Sequence, residues 1–145
     1  MVFEVSLENN YDSKIYPYSS DSFHHSLGTN ILIIDNNLFT SAFLENWLTW
    51  IGCNVFIVNS GLEGMELLKS IPNFISLLVI NLFNSEIDQL TIYSIFKTIN
   101  PDIKTIMLVD ATTDVNFFSS LEIEVLMKKP IDLYELDHNL KNILH

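Results

Sequence analysis

Asn30-Ile31-Leu32-Ile33-Ile34-Asp35-Asn36-Asn37 decides the fold. Four apolar residues stand in a row, so both faces of the segment need cover. A central strand of a parallel sheet, covered by helices on both sides, meets that need. The run stops abruptly at Asp35, and Leu38 to Ile51 follows with helical spacing. Phe39, Phe43, Leu44, Trp47, Leu48 and Ile51 recur every three or four residues. Gly52 ends that helix. The same alternation continues outward. Asn54–Val58, Leu77–Ile80, Thr105–Val109 and Glu124–Met127 read as strands. Ser60–Ser70, Leu90–Ile99, Asp114–Leu121 and Leu133–Leu144 read as helices. Ser60 sits at an N-cap, with Glu63 at the capping-box position. Asn100-Pro101 stops the third helix. Five strands alternating with five helices predict a doubly wound α/β sheet.

The stretch before Asn30 has another character. Polar and turn-forming residues dominate it, and no helical period is sustained. Residues 1–29 therefore read as a linker, and 30–145 as the folded unit. Val2-Phe3-Glu4-Val5-Ser6-Leu7 alternates apolar and polar like a strand. Two readings stay open there: the end of an upstream domain, or a floppy arm. The N-terminus lacks the basic and apolar regions of a signal peptide.

Charge narrows the function. Eighteen acidic residues face seven basic ones, a net charge of −11, and every basic residue is lysine. Nucleic acid and anionic membranes both ask for a basic footprint, so neither is an expected partner. No apolar run is long enough to span a membrane. With 145 residues the chain can bury a core unaided, and 48% apolar against 17% charged residues excludes intrinsic disorder. A single cysteine, Cys53, excludes an internal disulfide framework and is expected to pack as a small apolar residue. His24-His25, His138 and His145 have no metal-ligand spacing, and all four are expected to be structural or solvated. No metal and no cofactor is expected.

Ligands of such sheets gather at the carboxyl ends of the strands. Those ends carry Asp35-Asn36-Asn37, Asn81, Val109-Asp110 and Lys129-Pro130. No glycine-rich phosphate cradle follows the first strand, which excludes a dinucleotide site and a P-loop.

At this point the chain resembles the receiver domain of bacterial response regulators, over residues 30–144. The resemblance rests on the order and spacing of several pieces. They are Ile31-Leu-Ile-Ile-Asp35-Asn36-Asn37, Gly52, Asn59-Ser-Gly-Leu-Glu-Gly-Met-Glu-Leu-Leu68, and Leu78-Val-Ile-Asn81-Leu82 with Asp88 beyond. Ile106-Met-Leu-Val109 and Met127-Lys-Lys129-Pro130-Ile-Asp132 complete it. It implies a CheY-like (flavodoxin-like) sheet of order 2-1-3-4-5. It also implies where an active receiver keeps its parts: an acidic pair, a phosphoryl-accepting aspartate, a hydroxyl and a lysine. Here those positions hold Asp35-Asn36, Asn81, Val109 and Lys129. An amide nitrogen is no nucleophile for an acyl phosphate, and the usual magnesium wants carboxylates. Three carboxylates beside one lysine would draw in a divalent cation. One carboxylate and one lysine leave the pocket near neutral, so a direct Asp35–Lys129 ion pair is expected, hydrogen-bonded by Asn36 and Asn81. The residue three before the lysine, an aromatic reporter in active receivers, is Leu126.

The resemblance therefore implies a degenerate receiver with no catalytic residue, working by protein docking. Its partner would be a response regulator, a histidine kinase or a phosphotransfer domain. The candidate interface is Phe39, Phe43, Trp47, Trp50 and Tyr134, with Glu135, His138 and Lys141 on the last helix expected to be solvated. Val2–Leu7 resembles the closing strand of a kinase ATP-binding domain. That places the chain in a hybrid sensor or phosphorelay protein, as in Rcs-type phosphotransfer proteins, in the cytoplasm or on the cytoplasmic side of a membrane-anchored sensor. Two other readings are an active receiver using a displaced aspartate, Asp88 or Asp110, and a small-molecule-binding flavodoxin-like module.

Overall fold

The structure, a computed structural model, describes residues 28–81 and 87–144. The segment Val2–Leu7, most of the linker, His24-His25, the residues 82–86 and His145 lie outside it.

Five strands run in chain order: β1 (Asn30–Ile34), β2 (Asn54–Val58), β3 (Leu77–Asn81), β4 (Lys104–Val109) and β5 (Val125–Lys128). All pair in parallel, in the order β2-β1-β3-β4-β5. The helices are α1 (Leu38–Trp50), α2 (Gly61–Ser70), α3 (Ile87–Ile99) and α4 (Leu133–Leu144). The expected sheet and its order are thus present.

Pleating sorts the apolar runs into two cores. Ile31 and Ile33 of β1 point to one face, with Val79, Leu108 and Met127. There Leu44, Trp47 and Leu48 of α1 and Leu136 and Leu140 of α4 cover them. Leu32 and Ile34 point to the other face, with Ile80, Met107 and Val109, under Leu68 of α2 and Tyr93 and Phe96 of α3. This two-sided burial is why β1 and β3 carry no alternation.

Local signals set the boundaries. Asn37 caps α1, its side chain accepting from Phe39 N (2.9 Å) and Thr40 N (3.2 Å). Gly52, at φ 101°, turns the chain from α1 into β2. Ser60 Oγ accepts from Glu63 N at 3.2 Å, and Glu63 reaches back to Asn59 N at 3.0 Å. Glu124 stands just before β5: its carboxylate accepts from Thr105 N at 2.7 Å and lies 3.4 Å from Lys97 Nζ.

One expected helix is different. Residues 115–118 form only a 3₁₀ turn, Val115–Phe118, capped by Asp114. The described chain therefore has four α-helices rather than five. Val115, Asn116 and two serines are weak helix formers, and burial of Phe118 anchors a single turn.

Candidate functional site

The carboxyl ends of β1, β3, β4 and β5 bring Asp35, Asn81, Asp110 and Lys129 together. Asp35 is the residue at which the apolar run of β1 gives out. Its N–H still donates to Val58 O (3.0 Å), which fixes it against β2. Its Oδ1 accepts from Asn37 N at 2.8 Å and from Asn81 Nδ2 at 3.2 Å. Asn81 is 1% exposed and ends β3. Its other end, Oδ1, accepts from Lys129 Nζ at 2.7 Å. Lys129 is aligned by its own N–H, which donates to Val109 O at 2.8 Å.

The expected direct Asp35–Lys129 pair is thereby corrected. The Asn81 amide stands between the two charges and joins them. An amide is an uncharged planar group that donates from its nitrogen and accepts at its oxygen, so it can join a carboxylate to an ammonium. The ion pair of Lys129 runs instead to Asp110 Oδ1, at 3.4 Å. The register Val109↔Lys128 sets Asp110 beside Lys129, so the sequence held this signal once the strands were aligned. Asn36 was expected to bond to the pair. Its side chain is exposed, and the described bonds of the site run without it. Asn37, two residues beyond Asp35, is the helix cap.

Asp35 is strained electrostatically. It is 3% exposed, and its Oδ2 is buried with no hydrogen-bond partner. Burial pushes its carboxyl above the usual range of 3.8, against the lowering effects of the Asn37 N–H, the Asn81 amide and the Lys129 charge. The sign for stability follows. Below pH 3.8 the carboxyl is protonated in both states. As pH rises, the unfolded chain ionises first, so stability falls until the raised folded value is passed. Asp35→Asn is expected to remove that fall. Denaturant midpoints for both proteins across the acid range check it; parallel curves would contradict it.

The remaining positions divide. Val109 is buried in the α2–α3 core, and Leu126 packs against that core, half-buried. Neither brings a hydroxyl or an aromatic ring to the site. Asp88 is the second residue of α3 rather than a loop residue. On α1, Phe39 is 88% exposed and Phe43 is 40% exposed. Trp50 is half-buried against the α1–α4 core. Trp47 must be withdrawn from the interface set: it is fully buried, because its position on α1 turns the ring into the sheet. Tyr134, Glu135, His138 and Lys141 on α4 are exposed, and His138 Nε2 lies 3.1 Å from Asn142 Nδ2. Cys53 is buried in the α1–α4 core, and burial pushes its thiol up to about 12.

Comparison with protein-family models gives no match, and none comes from the curated proteins. Solved structures do match. A response regulator receiver domain protein from Clostridium thermocellum superposes with TM-score 0.71 at 19% identity, over 80% of this chain and 94% of that one. A response regulator from Thermotoga maritima gives 0.70 at 22%, over 81% and 98%. This is the receiver fold. A CheY-like receiver domain protein from Methanospirillum hungatei gives 0.69 at 21%, over 81% and 94%. The receiver fold explains why a sheet with no glycine-rich loop gathers charged side chains at one end: in it, the carboxyl edge is the end where the strand–helix loops converge.

Proposed function

We propose that the chain is a receiver-like signalling module of a two-component or phosphorelay protein, one that does not take up a phosphoryl group and acts by docking a protein. The carrying observation is the amide of Asn81, engaged by Asp35 on one side and Lys129 on the other. At the carboxyl end of β3 it offers no carboxylate oxygen to attack phosphorus, and its nitrogen is a poor nucleophile.

The donor set also does not fit magnesium, which takes a near-ideal octahedron of oxygens. Asp35 supplies one free oxygen, the Asn81 oxygen is held by an ammonium, and Asp110 faces the same ammonium. Among the described residues no group of three acidic, histidine or cysteine side chains is placed to hold a metal. Lys129 brings the positive charge of the pocket and offsets one of its two carboxylates, Asp35 and Asp110.

The partner in this reading is a response regulator, a histidine kinase or a phosphotransfer domain, met through the exposed aromatics Phe39 and Phe43 of α1 and Tyr134 of α4. Buried aromatic anchors dominate such contacts. The module itself is no enzyme. It belongs downstream of a kinase-like region, on the cytoplasmic side. No described helix is long and apolar enough to cross a membrane.

Incubation with acetyl phosphate and magnesium, followed by intact mass, tests the proposal. The expected spectrum shows no phosphoryl adduct. An adduct that maps to Asp110 would support the displaced-aspartate reading instead, since Asp110 is the carboxylate beside Lys129.

A further inference from the structure

β2 ends the sheet, and its outer edge is unpaired among the described residues. The bonds Asn54 N to Thr29 O and Asp35 N to Val58 O fix which groups of β2 face β1. In a parallel ladder those are the groups of Asn54, Phe56 and Val58. The N–H and C=O groups of Val55 and Ile57 therefore point away from the sheet. β2 ends the strand order, and its register with β1 is unbroken over all five residues. Exposed edges in monomeric proteins are ordinarily blunted by charge, proline or a bulge. Cys53-Asn54-Val55-Phe56-Ile57-Val58-Asn59 has no charge and no proline, and the register leaves no bulge.

We propose that this edge pairs with the same edge of a second copy, in antiparallel register centred on Phe56. That register is dictated by the exposed groups. It sets Val55 opposite the second copy's Ile57, and Ile57 opposite its Val55, as hydrogen-bonded pairs. Phe56 then meets its own counterpart as a non-bonded pair, where cross-strand side chains come closest. The ring is available: Phe56 is 38% exposed, and it stacks edge-to-face at 5.5 Å on Phe74, itself 43% exposed. A two-fold axis gathers these two rings and their symmetry mates into one cluster, so the contact is isologous and closes at two copies.

Charge and area choose the occupant and its strength. The strip itself is neutral, so a second copy meets no charge where the strands touch, although each chain carries −11 overall. Long-range repulsion between such chains is screened by salt. Association therefore strengthens as salt rises, the opposite of a contact with a basic partner. Five residues of edge and two rings bury less than the roughly 800 Å² per partner of a standard interface, so the dimer is reversible and depends on concentration. The inference stands apart from the pocket chemistry and survives any outcome there.

Amide exchange of the full 145-residue chain, read over a concentration series together with mass by light scattering, tests it. The expected result is protection of the Val55 and Ile57 amides that rises with concentration, in step with a mass climbing toward twice 16.7 kDa. Sodium chloride should move both curves to lower protein concentration. Phe56→Lys should abolish the concentration dependence while the circular dichroism of the fold is kept; if that variant loses its fold, the wild-type series decides alone. Protection that is equal at all concentrations would mean that a segment of the same chain covers the edge, and would overturn the proposal. Fast exchange at every concentration would overturn it too.

Discussion

Replacing Asn36 and Asn81 together by aspartate is expected to create a divalent-cation site. Asp35 already offers a buried, unpartnered oxygen. The Asn81→Asp change puts a second carboxylate about where the amide nitrogen now lies, 3.2 Å from the other Asp35 oxygen, Oδ1. Two carboxylates this close cannot both ionise easily without a cation. The Asn36→Asp change adds a third from the loop after β1. Titration calorimetry with magnesium or manganese checks this. The variant should bind saturably in the millimolar range, and its melting temperature should rise with metal by mass action. The natural chain should show neither effect. A natural chain that binds magnesium as well as the variant would contradict the reading of the site as closed by the Asn81 bridge.

Asn81→Leu is the second large effect, and it acts on stability. Leucine matches the asparagine in size but neither donates nor accepts. Asp35 then loses its bond from Asn81, leaving Asn37 N, and Lys129 loses its shortest partner. Breaking a buried polar bridge to charged groups costs about 2–4 kcal/mol. Equilibrium unfolding in urea at neutral pH measures it. Lys129 keeps Asp110, so the loss should exceed that of Asp110→Ala, which removes a partner exposed by more than a third. A loss for Asn81→Leu no larger than for Asp110→Ala would show that the amide bridge does not hold the site together.

Much of this architecture is legible before any coordinates. The unbroken apolar runs of β1 and β3 are legible because both of their faces are covered. Asn81 and Lys129 are legible as neighbours at the carboxyl edge because strand ends in a parallel sheet converge whatever the side chains are, while Val109 belongs to the core. The partner of Lys129 is a different matter. Asp35 and Asp110 are both acids at strand ends, and the register Val109↔Lys128, with Asn81 between Asp35 and Lys129, is what puts Asp110 in the ion pair. The period places both Phe43 and Trp47 on the sheet side of α1; the helix buries Trp47 as that period requires, which removes it from an interface, and leaves Phe43 40% exposed. The turn at Val115–Phe118 misled because a short apolar pair beside a good cap suggests a helix, yet one buried ring, Phe118, satisfies it.

The most direct test of the central claim is an amide-shift titration of the 145-residue chain with magnesium and beryllofluoride, an acyl-phosphate mimic. The account predicts that the amides of Asp35, Asn81, Asp110 and Lys129 stay in place at millimolar magnesium. If those amides shift together and saturate, the pocket binds phosphoryl chemistry, and the reading of Asn81 as a bridge that closes it is wrong.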